Sequence, residues 1–384
     1  MVGKKIRFGL LVLCALVGSF SVEARVRRPL FQSPFERPIQ KVPYRPQWVS
    51  VVKKGQLFKY KRKEFSSPGV YDDHIFVGAD SGIFYSLKKK RGGKAWQFKT
   101  VGSVNSAPAF WNQQVFFGDD DGILYAVSVE TGKEIWRKEL GSEILTAPTV
   151  FGDRLFVATV EGKIAALAAG DGTILWEKDL VSNLESFKMT IRGNSPPIVD
   201  EEGKRLFVGF ADGTLQSFAT ADGKLLWEKS FKKTSGFNDI DGAPVIDGQR
   251  LYIATFDGGV FALSQKNGEL LWSQEIGSGV RMAVEGERLY LSGSNGRLYA
   301  LNKADGSKLW EQKIGSGALT APAVYQNLVI VGLSDQTINF LSAQDGHPIS
   351  RRFARKGISS NPLIDGDRIY YLSNGGRLYS LRFK

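Results

Sequence analysis

The chain is predicted to be all-β, an eight-bladed propeller built from four-stranded antiparallel blades. Three regularities carry that prediction. A landmark proline recurs at Pro68, Pro108, Pro148, Pro197, Pro244, Pro322 and Pro362, each ahead of a strand-like run, with Met282 in the sixth place. Tryptophan recurs in step at Trp96, Trp136, Trp176, Trp227, Trp272 and Trp310, with Ser350 in the seventh place. Turn dipeptides such as Asp121-Gly122, Asp212-Gly213, Asp257-Gly258, Asn295-Gly296 and Asn374-Gly375 separate alternating apolar runs. Such dipeptides suit tight hairpins because the turn needs positive φ. Anchors stand 38–49 residues apart, most often 40. A period near 40 with turn signals at short intervals means four strands per unit, which is a propeller blade.

The leader comes first. Lys4, Lys5 and Arg7 precede an apolar run over residues 8–17, and Ser21-Val22-Glu23-Ala24 supplies small residues for cleavage. Residues 1–24 therefore read as a secretory signal peptide, too short for a membrane span. Cys14, the one cysteine of the chain, lies inside that run after Leu13, where a lipoprotein signal needs a small residue. Cleavage after Ala24 leaves an exported protein with no disulfide, so its core must be large enough to stand alone.

Residues 25–52 read as a Pro- and Arg/Lys-rich tether: residues 25–48 alone contain five prolines and six basic side chains. The alternative to a plain spacer is a basic arm that touches a membrane surface or an acidic partner. The formal charge of +12 resides entirely in residues 1–64, since residues 65–384 hold 36 basic and 36 acidic side chains. A neutral body argues against nucleic-acid binding.

Residues 53–384 read as the propeller. Residues 106–136 show the unit: a small residue and proline, an apolar strand ending at Gly118, an acidic turn, a second strand (ILYAVS), a Thr-Gly-Lys turn, and an outer strand ending at Trp136. The repeated tryptophan is expected to pack between neighbouring blades. The eighth copy carries no fourth strand after residue 383. A strand at 55–60 (GQLFKY) is expected to complete that blade and hide its open edge.

Little in the chain points to catalysis. His74 and His347 fall in unrelated copies, and no Cys/His set has metal spacing. Asp119, Asp120 and Asp121 are expected to form a solvated turn rather than a cation site. No enzyme activity and no cofactor are expected.

The unit resembles the PQQ-type propeller repeat: Ala-Pro, Gly-x-x-(Asp/Asn)-Gly, Leu-Tyr-Ala-Leu, Gly-Lys-x-x-Trp. Quinoprotein dehydrogenases share this repeat, and so do scaffolds without a cofactor. A narrower resemblance lies where the period breaks. Trp176 to Pro197 spans 21 residues and Trp227 to Pro244 spans 17, against 12 in the regular copies. Long loops on a rigid repetitive scaffold are where function is usually placed. Their content, Met189-Thr190-Ile191-Arg192-Gly193-Asn194-Ser195 and Asp239-Ile240-Asp241-Gly242-Ala243-Pro244, is similar to the BamB family of outer-membrane β-barrel assembly factors.

The resemblance implies that Met189, Ile191, Arg192, Asp239 and Asp241 form a partner-binding surface for a BamA-like barrel subunit. It also implies a non-enzymatic scaffold on the periplasmic face of the outer membrane that helps barrel proteins, as unfolded clients, to fold and insert. Two other readings of the residues stay open: a PQQ-dependent dehydrogenase-like quinoprotein, and a periplasmic propeller that binds sugar or peptidoglycan in its funnel. An ion pair of Arg192 with Asp239 or Asp241, stapling the two loops, is compatible with docking. For the leader, mass spectrometry of the exported protein is expected to find Arg25 at the N-terminus; a start elsewhere overturns the assigned cleavage point.

Overall fold

A computed structural model describes residues 43–52, 66–180, 193–232 and 237–384. These residues form 32 strands in eight four-stranded antiparallel sheets, with no helix among them. Seven sheets are consecutive in sequence, at 69–99, 109–139, 149–179, 198–230, 245–274, 283–313 and 323–353. The eighth joins three strands at 363–383 to the strand Tyr44–Val51. Short inner strands of neighbouring blades touch one another, so the blades ring a common axis. The two middle strands of each blade are buried almost without interruption, as in Gln114–Gly118 and Ile123–Ser128, because a neighbouring blade covers each face. Outer strands alternate between exposed and half-buried residues.

The closing strand is Tyr44–Val51, ahead of the 55–60 run that the sequence suggested, which lies outside the described residues. It pairs with the strand Arg377–Phe383 from Tyr44↔Phe383 to Val51↔Arg377. Closure from the N-terminal side is as expected, but the residues come from the Pro-rich stretch assigned to the tether. Proline is tolerated on this outermost strand, where one edge of the ladder has no neighbour.

Trp48 explains why this strand and not another closes the ring. Each landmark tryptophan donates its indole N–H to a carbonyl at the third-to-fourth strand turn of the next blade. Trp96, Trp136, Trp176, Trp227, Trp272 and Trp310 reach Val129, Ala169, Thr220, Gln265, Lys303 and Ala343 at 2.8–3.1 Å. Trp48 does the same to the Lys89 carbonyl at 3.1 Å. The ring lies flat on a turn glycine: a Cβ on Gly172 (φ 74°) would fall 2.7 Å from the Trp136 ring. Several of these carbonyls take a second donor from an arginine on the tryptophan's own blade. Arg154 reaches Thr220 at 3.0 Å, Arg250 reaches Lys303 at 3.1 Å, and Arg368 reaches Lys89 at 3.3 Å.

The residue paired across the ladder from each tryptophan is small: Ser86, Ala126, Ala166, Ser217, Ala262, Ala300 and, for Trp48, Ser380. Blade seven inverts the pair, with Phe340 opposite Ser350. The reason lies in the closure. Blade eight receives its fourth strand from the N-terminal side, so it has no third-to-fourth turn on which a tryptophan could lie. Tyr44 fills the place, stacking on Phe340 at 4.6 Å with its hydroxyl 3.4 Å from Ser350 Oγ. A bulge recurs too: the residue just before the tryptophan, or before Ser350 in blade seven, is skipped by the ladder in every blade, from Ala95 to Gln47. That bulge turns Ile135, Leu175, Leu226, Leu271 and Leu309 outward, each more than two-fifths exposed.

If Trp48 closes the ring as its counterparts join the other blades, Trp48→Ala costs about 3 kcal/mol or more in urea unfolding, as Trp272→Ala does. A Trp48→Ala loss within ~0.5 kcal/mol of zero would show that the strand is not part of the cooperative unit.

Candidate partner-docking site

The two over-long connections meet at one turn. The blade-four turn at 209–213 links that blade's second and third strands, and each connection grips it from one side. From the first connection, Ser195 is fully buried; its N–H donates to the Gly209 carbonyl and its Oγ accepts the Gly209 N–H, both at 2.8 Å. Asn194, also buried, bridges two blades. Its Nδ2 donates to the Thr159 carbonyl at 2.7 Å in blade three, and its Oδ1 accepts the Ala211 N–H at 3.2 Å in blade four. Gly193, at φ 86°, makes the bend before it, and a Cβ there would stand 3.0 Å from Val160.

From the second connection, the Ile240 N–H donates to the Phe210 carbonyl at 3.2 Å. Its side chain is fully buried with Phe207, Leu215, Leu251 and Ile253. Asp239 is 5% exposed and Asp241 is half-buried. The Asp239 carbonyl accepts the Phe256 N–H at 3.1 Å. Phe237 is held two residues earlier. Its N–H donates to Asp257 Oδ2 at 3.0 Å and its carbonyl accepts the Asp257 N–H at 3.0 Å. Its ring meets Phe256 edge-on and remains 39% exposed.

At the turn itself, Asp212 pairs with Lys232 at 2.9 Å. Burial works against ionisation of Asp212, but the Thr214 hydroxyl and Lys232 outweigh it and hold the carboxyl below its usual range. The site is therefore charged and fixed.

Of the residues expected to form the surface, the structure brings Asp239 and Asp241 together on one connection. Met189, Ile191 and Arg192 lie outside the described residues. The described residue nearest them, Gly193, enters the site immediately after Arg192. Sequence reasoning passed over Asn194, Ile240 and Phe237. The apolar residue between two aspartates was a signal for a buried pin, whereas nothing in the sequence shows which turns Asn194 joins. Among the described residues no group of three His, Cys, Asp or Glu side chains is placed to hold a metal ion.

This architecture, a ring of four-stranded blades with a Trp-bearing outer strand and a Gly turn, defines an eight-bladed propeller of PQQ-type repeats. The chain belongs to the family described as "Outer membrane protein assembly factor BamB", which matches residues 47–131, 80–278 and 256–384. It is similar to the outer membrane protein assembly factor BamB of Alkalilimnicola ehrlichii, 28% identical over 202 residues, covering 50% of this chain and 52% of that protein. The chain thus spans about half the length of the curated relative it matches. Among solved structures it is similar to BamB from Moraxella catarrhalis, with a TM-score of 0.77 and 22% identity over 88% of this chain and 100% of that one. A quinohemoprotein alcohol dehydrogenase from Pseudomonas putida shares the fold with a TM-score of 0.72 and 14% identity, covering 89% of this chain and 76% of that one.

Two substitutions test the grip on the turn. Ile240→Ala should cost about 2–5 kcal/mol by the usual cavity penalty. Asn194→Ala strands two buried backbone groups and should cost about 1–3 kcal/mol. Urea unfolding reads both. No change in either variant would mean that the connections are not anchored as described.

Proposed function

We propose that the protein is a non-enzymatic scaffold of the outer-membrane β-barrel assembly machinery, exported to the periplasm and working at the inner face of the outer membrane. It docks through the two long connections on the periplasmic part of a BamA-like barrel subunit. The observation that carries this reading is the convergence of both over-long connections on one buried turn, in a chain of the BamB family. Ordinary connections in this ring are shorter. These two carry apolar and charged side chains beside one another, the composition of an interface hot spot.

In this reading Met189, Ile191 and Arg192 supply the apolar and cationic contacts, and Asp241 supplies an anionic one. Asp239, being buried, acts by holding the loop in shape. A pinned loop loses little entropy on binding, which favours affinity.

The test is co-purification with the BamA-like subunit. Arg192→Ala and Asp241→Ala should each reduce recovery of the complex at least tenfold while leaving urea stability within about 0.5 kcal/mol of the parent. Recovery equal to the parent in both variants overturns the site. A photocrosslinker at position 192 that captures a protein outside the assembly machinery overturns the partner.

A further inference from the structure

Seven blades have a turn between their third and fourth strands, and one of these turns is unlike the rest. In blade one, residues 88–94 hold five basic side chains and no acidic one: Lys88, Lys89, Lys90, Arg91 and Lys94. The corresponding stretches 128–134, 168–174, 219–225, 264–270, 302–308 and 342–348 each have a net charge between −1 and +1. The body is neutral as a whole, so this turn is a local excess.

Arg91 takes a place that the other six blades use for turn chemistry. There Thr131, Asp171, Asp222, Asn267, Asp305 and Asp345 each accept, through a side-chain oxygen, the N–H two residues on, at 2.9–3.4 Å. Arginine has no acceptor, so blade one lacks this bond. Its turn is fixed by other means. Trp48 and Arg368 donate to the Lys89 carbonyl, the Ser50 hydroxyl donates to the Gly92 carbonyl at 2.5 Å, and the Lys88 N–H donates to the Gly93 carbonyl at 2.7 Å.

On this fixed backbone Lys88, Lys90, Arg91 and Lys94 are exposed. Among the described residues none of the four pairs with a carboxylate, whereas Lys89 pairs with Asp365 at 2.5 Å. Lys88 donates to His74 Nε2 at 2.6 Å and Lys94 to Gln97 Oε1 at 2.9 Å, which leaves both charges uncancelled. The first turn of the same blade supplies two acids, Asp72 and Asp73, fewer than the charges beside them. Strands alternate in direction, so this turn lies at the opposite end of the blade from the fourth-to-first connections. The patch and the candidate docking loops therefore occupy opposite faces of the ring.

We propose that the blade-one turn is a contact for an anionic phospholipid surface. Lysine is a strongly hydrated point charge, and a cluster of such charges is drawn to a diffuse anionic surface through water, without a pocket. The stretch holds no aromatic side chain on which a base could stack. At the inner face of the outer membrane, the location proposed above, the extended anionic surface within reach is phospholipid. The patch rests on that location but not on the docking residues.

Vesicle flotation of the whole protein tests this. The protein should float with vesicles of phosphatidylglycerol in phosphatidylcholine, stay behind with phosphatidylcholine alone, and be released as salt rises. Lys90→Glu with Arg91→Asp should weaken that binding about tenfold or more. Lys224→Glu with Lys266→Glu, on the matching turns of blades four and five, should leave it within about twofold. Arg91→Asp alone restores the acceptor of the other blades, so its urea midpoint should hold or rise while vesicle binding falls. No binding to phosphatidylglycerol vesicles, equal binding to phosphatidylcholine, or an equal loss from the blade-four and blade-five substitutions overturns the site. Binding that survives Lys90→Glu with Arg91→Asp assigns the contact to the basic stretch at 25–48 and overturns the site too. A lower urea midpoint in Arg91→Asp would show that Arg91 serves the fold and overturns its assignment to lipid. Preference for single-stranded DNA or polyglutamate over the vesicles overturns the membrane as the partner.

Discussion

The contact on which the ring depends is the indole that leaves one blade and lands on the next. In one step it buries a large ring against a turn glycine and donates a hydrogen bond to a carbonyl at a blade junction. The hydrogen bond fixes the angle between blades, and the ring supplies the burial. Both are directional in a way that two apolar sheets alone are not, since a greasy face can slide. Seven of the eight junctions use it. The eighth, where no turn exists to receive an indole, substitutes Tyr44, Phe340 and Ser350.

Much of this was legible in the chain. The anchors, the tryptophans and the turn dipeptides are local signals repeated many times, so eight blades follow from counting. The closing strand was harder. Trp48 stands 20 residues before Pro68, outside the regular interval, and its neighbours Pro43, Arg45 and Pro46 have the composition of a tether. What makes it a strand is a partner more than 300 residues away, Ser380, small enough to face an indole. That complementarity is a property of pairs and is invisible in either segment alone. The candidate site divides in the same way. Its loops were visible as excess length, and its aspartates as a motif. The pinning by Ile240 and the bridge by Asn194 depend on the blade-four turn, which only folding brings near.

Departures from the repeat at the inner strands are not scattered. Gly242 and Val280 stand where other blades use Ser or Thr to tie the inner strand, Met282 stands for proline, and Arg281 for alanine or another neutral residue. All four flank the inner strand of blade five or six, next to the connection that carries Asp239 and Asp241. A repeat fold tolerates such local exchange because each blade is held by its two neighbours and not by a shared centre. One sector can then carry chemistry while the others keep the ring closed.

The recurrent bulge has a consequence for traffic at the rim. An outer strand with an unbroken ladder edge is a template on which any extended chain can add itself. Here the skipped residue before each tryptophan breaks that edge into two short stretches, so an incoming strand loses register after a few hydrogen bonds. The exposed leucines at the break offer a passing chain a greasy foothold without a continuous backbone track. Such a rim resists the addition of a further strand although it is exposed all round the ring.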